Sequence, residues 1–231
     1  MSPGKFELQV SGLRAYADCG VSYGKTRHVA AGSQPWKRTG EKIDMMFPAF
    51  LQSRWWDTSS PLYRRRVVDY AGPWTALWHE EDWEYDCRVA SQGIRLDYCA
   101  EVVSETRAFD PDRLSGAFHG TARKLQDRAA AHRLIFVHAQ RAEIGPEVPE
   151  MRHFARELFL LARQCGAAGL TQDAESLFHL ARTAAGPERG GGWDFRWYDL
   201  VAKLLGWEWT GRLACFGDRL RPGNRSVSRA G

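Results

Sequence analysis

Apolar residues recur along the first half of the chain at spacings that switch between helical and extended periods. Phe6, Val10, Leu13 and Ala17 fall at i, i+4, i+7 and i+11, which predicts an amphipathic helix begun near Pro3. Gly20-Val21-Ser22-Tyr23-Gly24 then reads as a short strand closed by glycine. Residues 25–42, rich in Gly, Ser, Lys, Arg and Thr, read as an exposed loop. Apolar content returns from Met45 to Trp56, and Ser59 to Tyr63 gives a brief extended piece before Arg64-Arg65-Arg66. Trp83, Cys87 and Ala90 repeat at helical spacing, with Gly93 placed as a C-cap glycine. Ile94, Leu96 and Tyr98 alternate with Arg95, Asp97 and Cys99, and Val102-Val103 follow after one break, which predicts one strand or a bent pair.

The pattern changes near Asp110-Pro111-Asp112. Beyond it Leu114, Phe118, Ala122, Leu125 and Ala129 hold a helical stripe and β-branched residues thin out, so the chain divides into residues 1–112 and a mostly helical 113–231. After Gly145-Pro146, two helices are predicted over about 150–164 and 171–184. Leu158, Leu161 and Ala162 would face Ala174, Leu177, Phe178 and Ala181, like a tetratricopeptide-type hairpin over about 150–185. A solenoid needs several such repeats, so a single hairpin reads as a packed helical appendage. Gly186-Pro187 and Gly190-Gly191-Gly192 mark a linker before a last aromatic helix from about Phe195 to Leu205.

Composition narrows the classes. A length of 231 residues allows one large domain or two small ones, and 44% hydrophobic with 26% charged residues is ordinary for a globular chain. Ten tryptophans are many. Core packing is expected to absorb most of them, with the rest free to line a surface where flat rings stack on flat ligands. The net charge of +4 is spread over 32 basic and 28 acidic residues, too diffuse for nucleic acid. Only Arg212, Arg219, Arg221, Arg225 and Arg229 form a locally basic stretch, read as a solvated tail with peripheral membrane contact as its alternative. Five scattered cysteines without a C-x-x-C pair argue against a disulfide framework or a zinc site. No apolar run reaches the roughly 18 residues of a membrane span and no signal-peptide pattern opens the chain, so a cytoplasmic location is expected.

Candidate chemistry concentrates in Glu80-Glu81-Asp82-Trp83-Glu84, preceded by Gly72-Pro73-Trp74 and followed by Arg88. Three consecutive carboxylates between tryptophans, at a predicted helix start, offer a general base beside a flat, sugar-sized surface. The competing reading is local: the acids cap and complement the helix, and Glu84 and Arg88 form an i, i+4 pair. His132, His138, His153 and His179 lie on predicted helices without ligand spacing, and no glycine-rich phosphate loop follows a strand.

Taken in order, the opening helix, the strand with Tyr23-Gly24, a variable loop, Ser60-Pro61-Leu62-Tyr63-Arg64-Arg65, Ala71-Gly72-Pro73-Trp74, Glu81-Asp82-Trp83-Glu84, Arg88, Gly93 and a strand form a series. Over Pro3 to Phe109 it resembles the second, acceptor-side half of a family 2 glycosyltransferase catalytic domain. The resemblance implies a partial GT-A-like (nucleotide-diphospho-sugar transferase) α/β domain followed by an α-helical region. It also implies inverting transfer of a sugar from a nucleotide sugar to a carbohydrate acceptor hydroxyl. It assigns the base to Asp82, acceptor positioning to Glu81, sugar-facing or packing surface to Trp83 and Trp74, and a substrate contact to Arg107. The family holds a divalent metal, Mn or Mg, through an Asp-x-Asp motif that would precede the opening helix. Met1 falls just after that place, so the donor-binding half is expected upstream, and the chain alone is expected to bind neither metal nor nucleotide sugar. Asp110-Pro111-Asp112 matches literally but follows the base motif and reads as a proline turn with a helix N-cap. A histidine that the family often carries after the last arginine is replaced by Ala108 and Phe109. The alternative is a non-catalytic interaction protein whose helical half binds a protein partner.

Overall fold

A computed structural model describes residues 1–29, 40–107 and 122–220, apart from the side chains of His28, Arg107, Arg219 and Leu220. Its fold is mixed α/β. The chain forms two compact units: Met1–His119 with Leu134–Ile144, and Gly120–Arg133 with Gly145–Gly231. Asp110 to Asp112, and the basic end from Arg219 on, lie outside the described side chains.

The first unit is built on a three-stranded sheet of order β2-β1-β3, in which β1 (Cys19–Val29) runs parallel to β3 (Arg95–Arg107) and antiparallel to β2 (Leu62–Tyr63). The pairing of β1 with β3 shifts register between Gly24 and Thr26, which accounts for the break in the alternation before Val102. Residues 25–29 therefore belong to β1 and not to a loop. Their backbone groups pair with Val102 to Arg107, which satisfies a hydrophilic stretch that composition alone assigns to an exposed loop. As the central strand, β1 buries both of its faces: Val21, Ser22 and Tyr23 have no exposed surface. Its polar side chains are matched in place, Ser22 Oγ donating to Asp97 Oδ2 at 2.7 Å and Thr26 Oγ1 lying 2.7 Å from Ser104 Oγ.

Helix α1 (Lys5–Ala15) packs on β1 and β3, but through a different face from the one its apolar residues mark. Lys5, Gln9 and Leu13 are buried, Phe6 is exposed, and Ala17 lies beyond the helix. The polar members of this face are satisfied. Lys5 Nζ donates to Gln9 Oε1 and to the Ser60 carbonyl, both at 2.6 Å, and Gln9 Nε2 donates to the Ser22 carbonyl at 2.8 Å. Burial lowers the Lys5 pKa to about 8. Beyond β2, α2 (Arg65–Ala71) and α3 (Glu81–Ala90) follow, and the core gathers Tyr23, Phe50, Trp56, Cys87 and Val103.

The helix α4 (Ala122–Arg141) gives its first residues to the second unit and Leu134 onward to the first. In the second unit, α5 (Pro149–Ala167) and α6 (Thr171–Gly190) pack together with Leu158, Leu161, Ala162, Ala174, Leu177, Phe178 and Ala181 all buried. The expected linker is shorter than its glycines suggest. Gly186 breaks α6 with φ of 75°, but the chain resumes helical geometry at Pro187 and continues to Gly190. The last helix, α7 (Trp193–Leu220), is also longer than expected and is interrupted once, at Gly206 with φ of 81°. Phe159, Phe178, Phe195, Tyr198 and Trp207 make one aromatic cluster with centroid separations near 5 to 6 Å. No helix among the described residues is long and apolar enough to cross a membrane.

Glycines set the distance between α5 and α7. A Cβ on Gly211 would lie 2.4 Å from the Ala167 nitrogen, and one on Gly166 would lie 2.5 Å from the Trp207 carbonyl oxygen. Nothing lies within 4 Å of a Cβ at Gly217, further along the same helix. Gly211→Ala is therefore expected to destabilise the protein by about 1–3 kcal/mol through backbone overlap. Gly217→Ala is expected to gain up to about 1 kcal/mol from helix propensity. Denaturant melts of the two variants check this, and equal shifts would dismiss the close-packing account.

Candidate functional site

The stretch after the 3-10 turn Ala49–Leu51 brings Arg54, Trp56 and Thr58 to one side of α3, where Asp82 and Asp86 lie one helical turn apart. Arg54 bridges the two acids. Its Nε donates to Asp86 Oδ2 at 2.7 Å, and its Nη1 donates to Asp82 Oδ2 and, at 2.7 Å, to Thr58 Oγ1. Thr58 Oγ1 in turn donates to Asp82 Oδ2 at 2.6 Å. Asp86 is fully buried and accepts further bonds from Trp56 Nε1 at 3.0 Å and from the Tyr63 hydroxyl. Burial pushes the Asp86 pKa up, opposed by Arg54 and Tyr63; Tyr63 is raised well above the ordinary phenol range, first by burial and then by Asp86. For Arg54, burial opposes the charge, but Asp86 and Asp82 outweigh it and raise its pKa.

Asp82 thus does not cap its helix. The N-cap residue Glu80 has a left-handed backbone and makes no side-chain cap bond, and Asp82 turns to Arg54 and Thr58 instead. Both bonds fall on Oδ2. Among the described residues Oδ1 accepts none, and the side chain keeps a quarter of its surface exposed. Beside it, the Glu81 pKa is raised by partial burial and by the Asp82 charge, against His79 and Arg54.

A second network holds the Gly72-Pro73-Trp74 turn to the same helix. Glu84 accepts from Thr75 Oγ1 at 2.6 Å, from Arg88 Nη2 at 2.6 Å and from His138 Nε2 at 2.8 Å, with the imidazole as donor to the carboxylate. Arg88 Nη1 also donates to the carbonyls of Ala71 and Pro73, at 3.0 and 2.7 Å. Trp74 stacks on Tyr85 at 5.5 Å with its rings inclined by 29°, and remains 46% exposed. Burial alone would raise the Glu84 pKa; the bonds from His138, Arg88 and Thr75 outweigh it and take the carboxyl down to about 2.

The residues singled out by sequence therefore separate. Asp82, Glu81 and Trp74 sit on or beside α3 with exposed surface. Trp83 also keeps part of its surface exposed, and its Nε1 donates to the Phe50 carbonyl at 2.8 Å. Arg107 ends β3, and its side chain lies outside the described set. Arg54, Asp86, Trp56 and His138 are partners that sequence reading did not reach. The acids at positions 82 and 86 share a helix face, which is a readable signal; no local feature marks Arg54 or His138 as their partners. Among the described residues no group of three or more His, Cys, Asp or Glu side chains could hold a metal ion, and no disulfide joins any of the five cysteines. A cleft of about 570 Å³ in the second unit, at the α6 break, contains none of the predicted site residues. The tryptophans also depart from expectation: Trp55 and Trp56 are buried, but Trp74, Trp78, Trp193, Trp197 and Trp209 are exposed. No protein family, no curated protein and no solved structure matches this chain.

The Glu84 network predicts an acid-sensitive fold. A carboxyl with a lowered folded pKa stabilises the fold fully above its ordinary value of 4.5, and that contribution is lost as pH falls toward about 2. Glu84→Gln is expected to cost about 3 kcal/mol at pH 7, with a smaller cost near pH 3. Urea unfolding at both pH values measures the difference; an equal cost at each would mean that ionisation of Glu84 contributes nothing.

Proposed function

We propose that the first unit is the acceptor side of an inverting glycosyltransferase of the GT-A, family 2 type, with Asp82 as its general base. The observation that carries this reading is the Asp82 carboxylate at the head of α3, oriented through Oδ2 by Arg54 and Thr58 while Oδ1 accepts no bond among the described residues. A base needs an oxygen that a hydroxyl can reach and a carboxylate plane that does not turn away, and this arrangement meets both needs. In the reaction the acceptor oxygen attacks the anomeric carbon of the donor and gives its proton to Asp82 Oδ1. The bond from that carbon to the diphosphate breaks, its electron pair leaving with the diphosphate.

The neighbouring groups suit a sugar acceptor. Glu81, with its raised pKa, offers hydrogen bonds to sugar hydroxyls, and the exposed ring of Trp74, braced by Tyr85 and Arg88, offers a flat apolar face. Trp83, half-buried, is anchored through its indole nitrogen to the Phe50 carbonyl. The divalent metal of the family has no set of side chains among the described residues that fits it, so no step is assigned to one.

Acceptor binding by this chain, and transfer from a panel of UDP-sugars to glycoside acceptors when it is joined to a donor-binding half, test the reading. Asp82→Asn is expected to lower turnover by ~10²-fold or more with acceptor affinity nearly unchanged. Because the Arg54 pair is partly exposed, the accompanying stability loss should stay within about 1 kcal/mol. Undiminished turnover in Asp82→Asn, or a wild-type chain that neither transfers to nor binds any acceptor, would overturn the assignment.

A further inference from the structure

Helix α7 is apolar on two opposite sides. One side faces its own unit: Phe195, Tyr198 and Ala202 before the break at Gly206, and Thr210 and Gly211 after it, are buried. The other side carries Trp193, Trp197, Leu200 and Leu204 at i, i+4, i+7 and i+11, then Leu205, Trp209, Leu213 and Phe216 at i, i+4, i+8 and i+11. At about 100° per residue, each set falls within a sector of roughly 80°, opposite the buried residues of its segment. All eight side chains are between 44% and 74% exposed. Scattered apolar residues on a surface need no explanation, but two stripes of four, one on each segment of the helix and each opposite its buried side, mark an interaction surface.

Its chemistry identifies the partner. Three of the eight residues are tryptophan, the side chain that settles at the boundary between headgroups and acyl chains. Arg196, Lys203 and Arg212 flank the stripes; Lys203 pairs with Asp199 at 2.9 Å, and Arg212 pairs with Glu208 at 2.6 Å while lying over the Trp209 ring at 5.2 Å. Within the helix the charges balance closely, but from Arg219 to the end the sequence carries four arginines and no acid, which complements an anionic surface. The break at Gly206 and the recurring charges make α7 unfit to span a bilayer but suit a helix lying in its interface. We infer that α7 docks the protein on an anionic phospholipid surface, with the Trp193–Leu204 and Leu205–Phe216 stripes inserted at headgroup depth. This inference is independent of the transferase reading.

Vesicle flotation of the full chain tests it, with phosphatidylcholine alone or mixed with phosphatidylglycerol. Binding is expected only with the anionic lipid, weakening with added salt, and brominated acyl chains should quench tryptophan fluorescence. Trp197→Ser combined with Leu204→Ser and Trp209→Ser should reduce binding by ~10-fold or more, because each removes exposed apolar surface from the inserted face. Circular dichroism and the melting temperature should remain as in the wild type, since all three side chains point away from the buried side. Failure to float with anionic vesicles would overturn the inference, as would equal binding by the triple variant. A wild-type dimer that the triple variant converts to a monomer, without vesicle binding, would overturn it too and give the stripe to a second copy of the chain.

Discussion

Asp86 has no exposed side-chain surface, and a carboxylate in that position is tolerable only with a full complement of donors. Arg54 supplies the countercharge, and Trp56 and Tyr63 fill the remaining acceptor sites. This requirement ties three separate stretches together: the segment after the 3-10 turn, the edge strand β2 and helix α3. Asp82 is positioned as a by-product, since the guanidinium fixed by Asp86 has a second edge to present one helical turn earlier. The geometry on which the proposed base rests is thus held in place by an interaction that the fold needs for its own sake.

Glu84 plays the equivalent part on another side of the same helix. It gathers Thr75, Arg88 and His138, and Arg88 passes the constraint on to the carbonyls of the Gly72-Pro73-Trp74 turn. The exposed Trp74 ring is therefore held by a chain of charge-assisted bonds that begins at a buried acid. The residue series from Gly72 to Arg88 acquires a physical meaning here: it is the set needed to fix one turn and one helix to each other.

Much of this is legible in sequence where the signal is local. The i, i+4 pairing of Glu84 with Arg88, the helix through Trp83 and Cys87, and the bend in β3 before Val102 all follow from spacing within a dozen residues. The contacts that define the candidate site span further. Arg54 lies 28 residues before Asp82 and His138 lies 54 residues after Glu84, and nothing near either residue announces its partner. Helix α1 misleads for a different reason. Its buried face is Lys5, Gln9 and Leu13, so a search for apolar period selects the wrong side when a polar face finds backbone carbonyls to donate to. The loop assignment fails likewise over residues 25–29, because parallel pairing with β3 satisfies Lys25 to Val29 whatever their polarity.

The tryptophans show how the two units use the same residue differently. In the first unit Trp56 is buried because its indole nitrogen has a carboxylate to bond, and Trp83 is held by a backbone carbonyl. In α7, Trp207 completes the inward aromatic cluster, but Trp193, Trp197 and Trp209 have no place inside: the inward side of the helix is already filled by Phe195, Tyr198 and Ala202, and near Gly211 it is too close to α5 for any Cβ. Their indoles are left on the outward stripe with leucine and phenylalanine. A helix pressed so closely against its neighbour that glycine is required on one side has no core-packing reason to carry eight large apolar residues on the other. The constraint that explains the inward face therefore leaves the outward face to be explained by a partner.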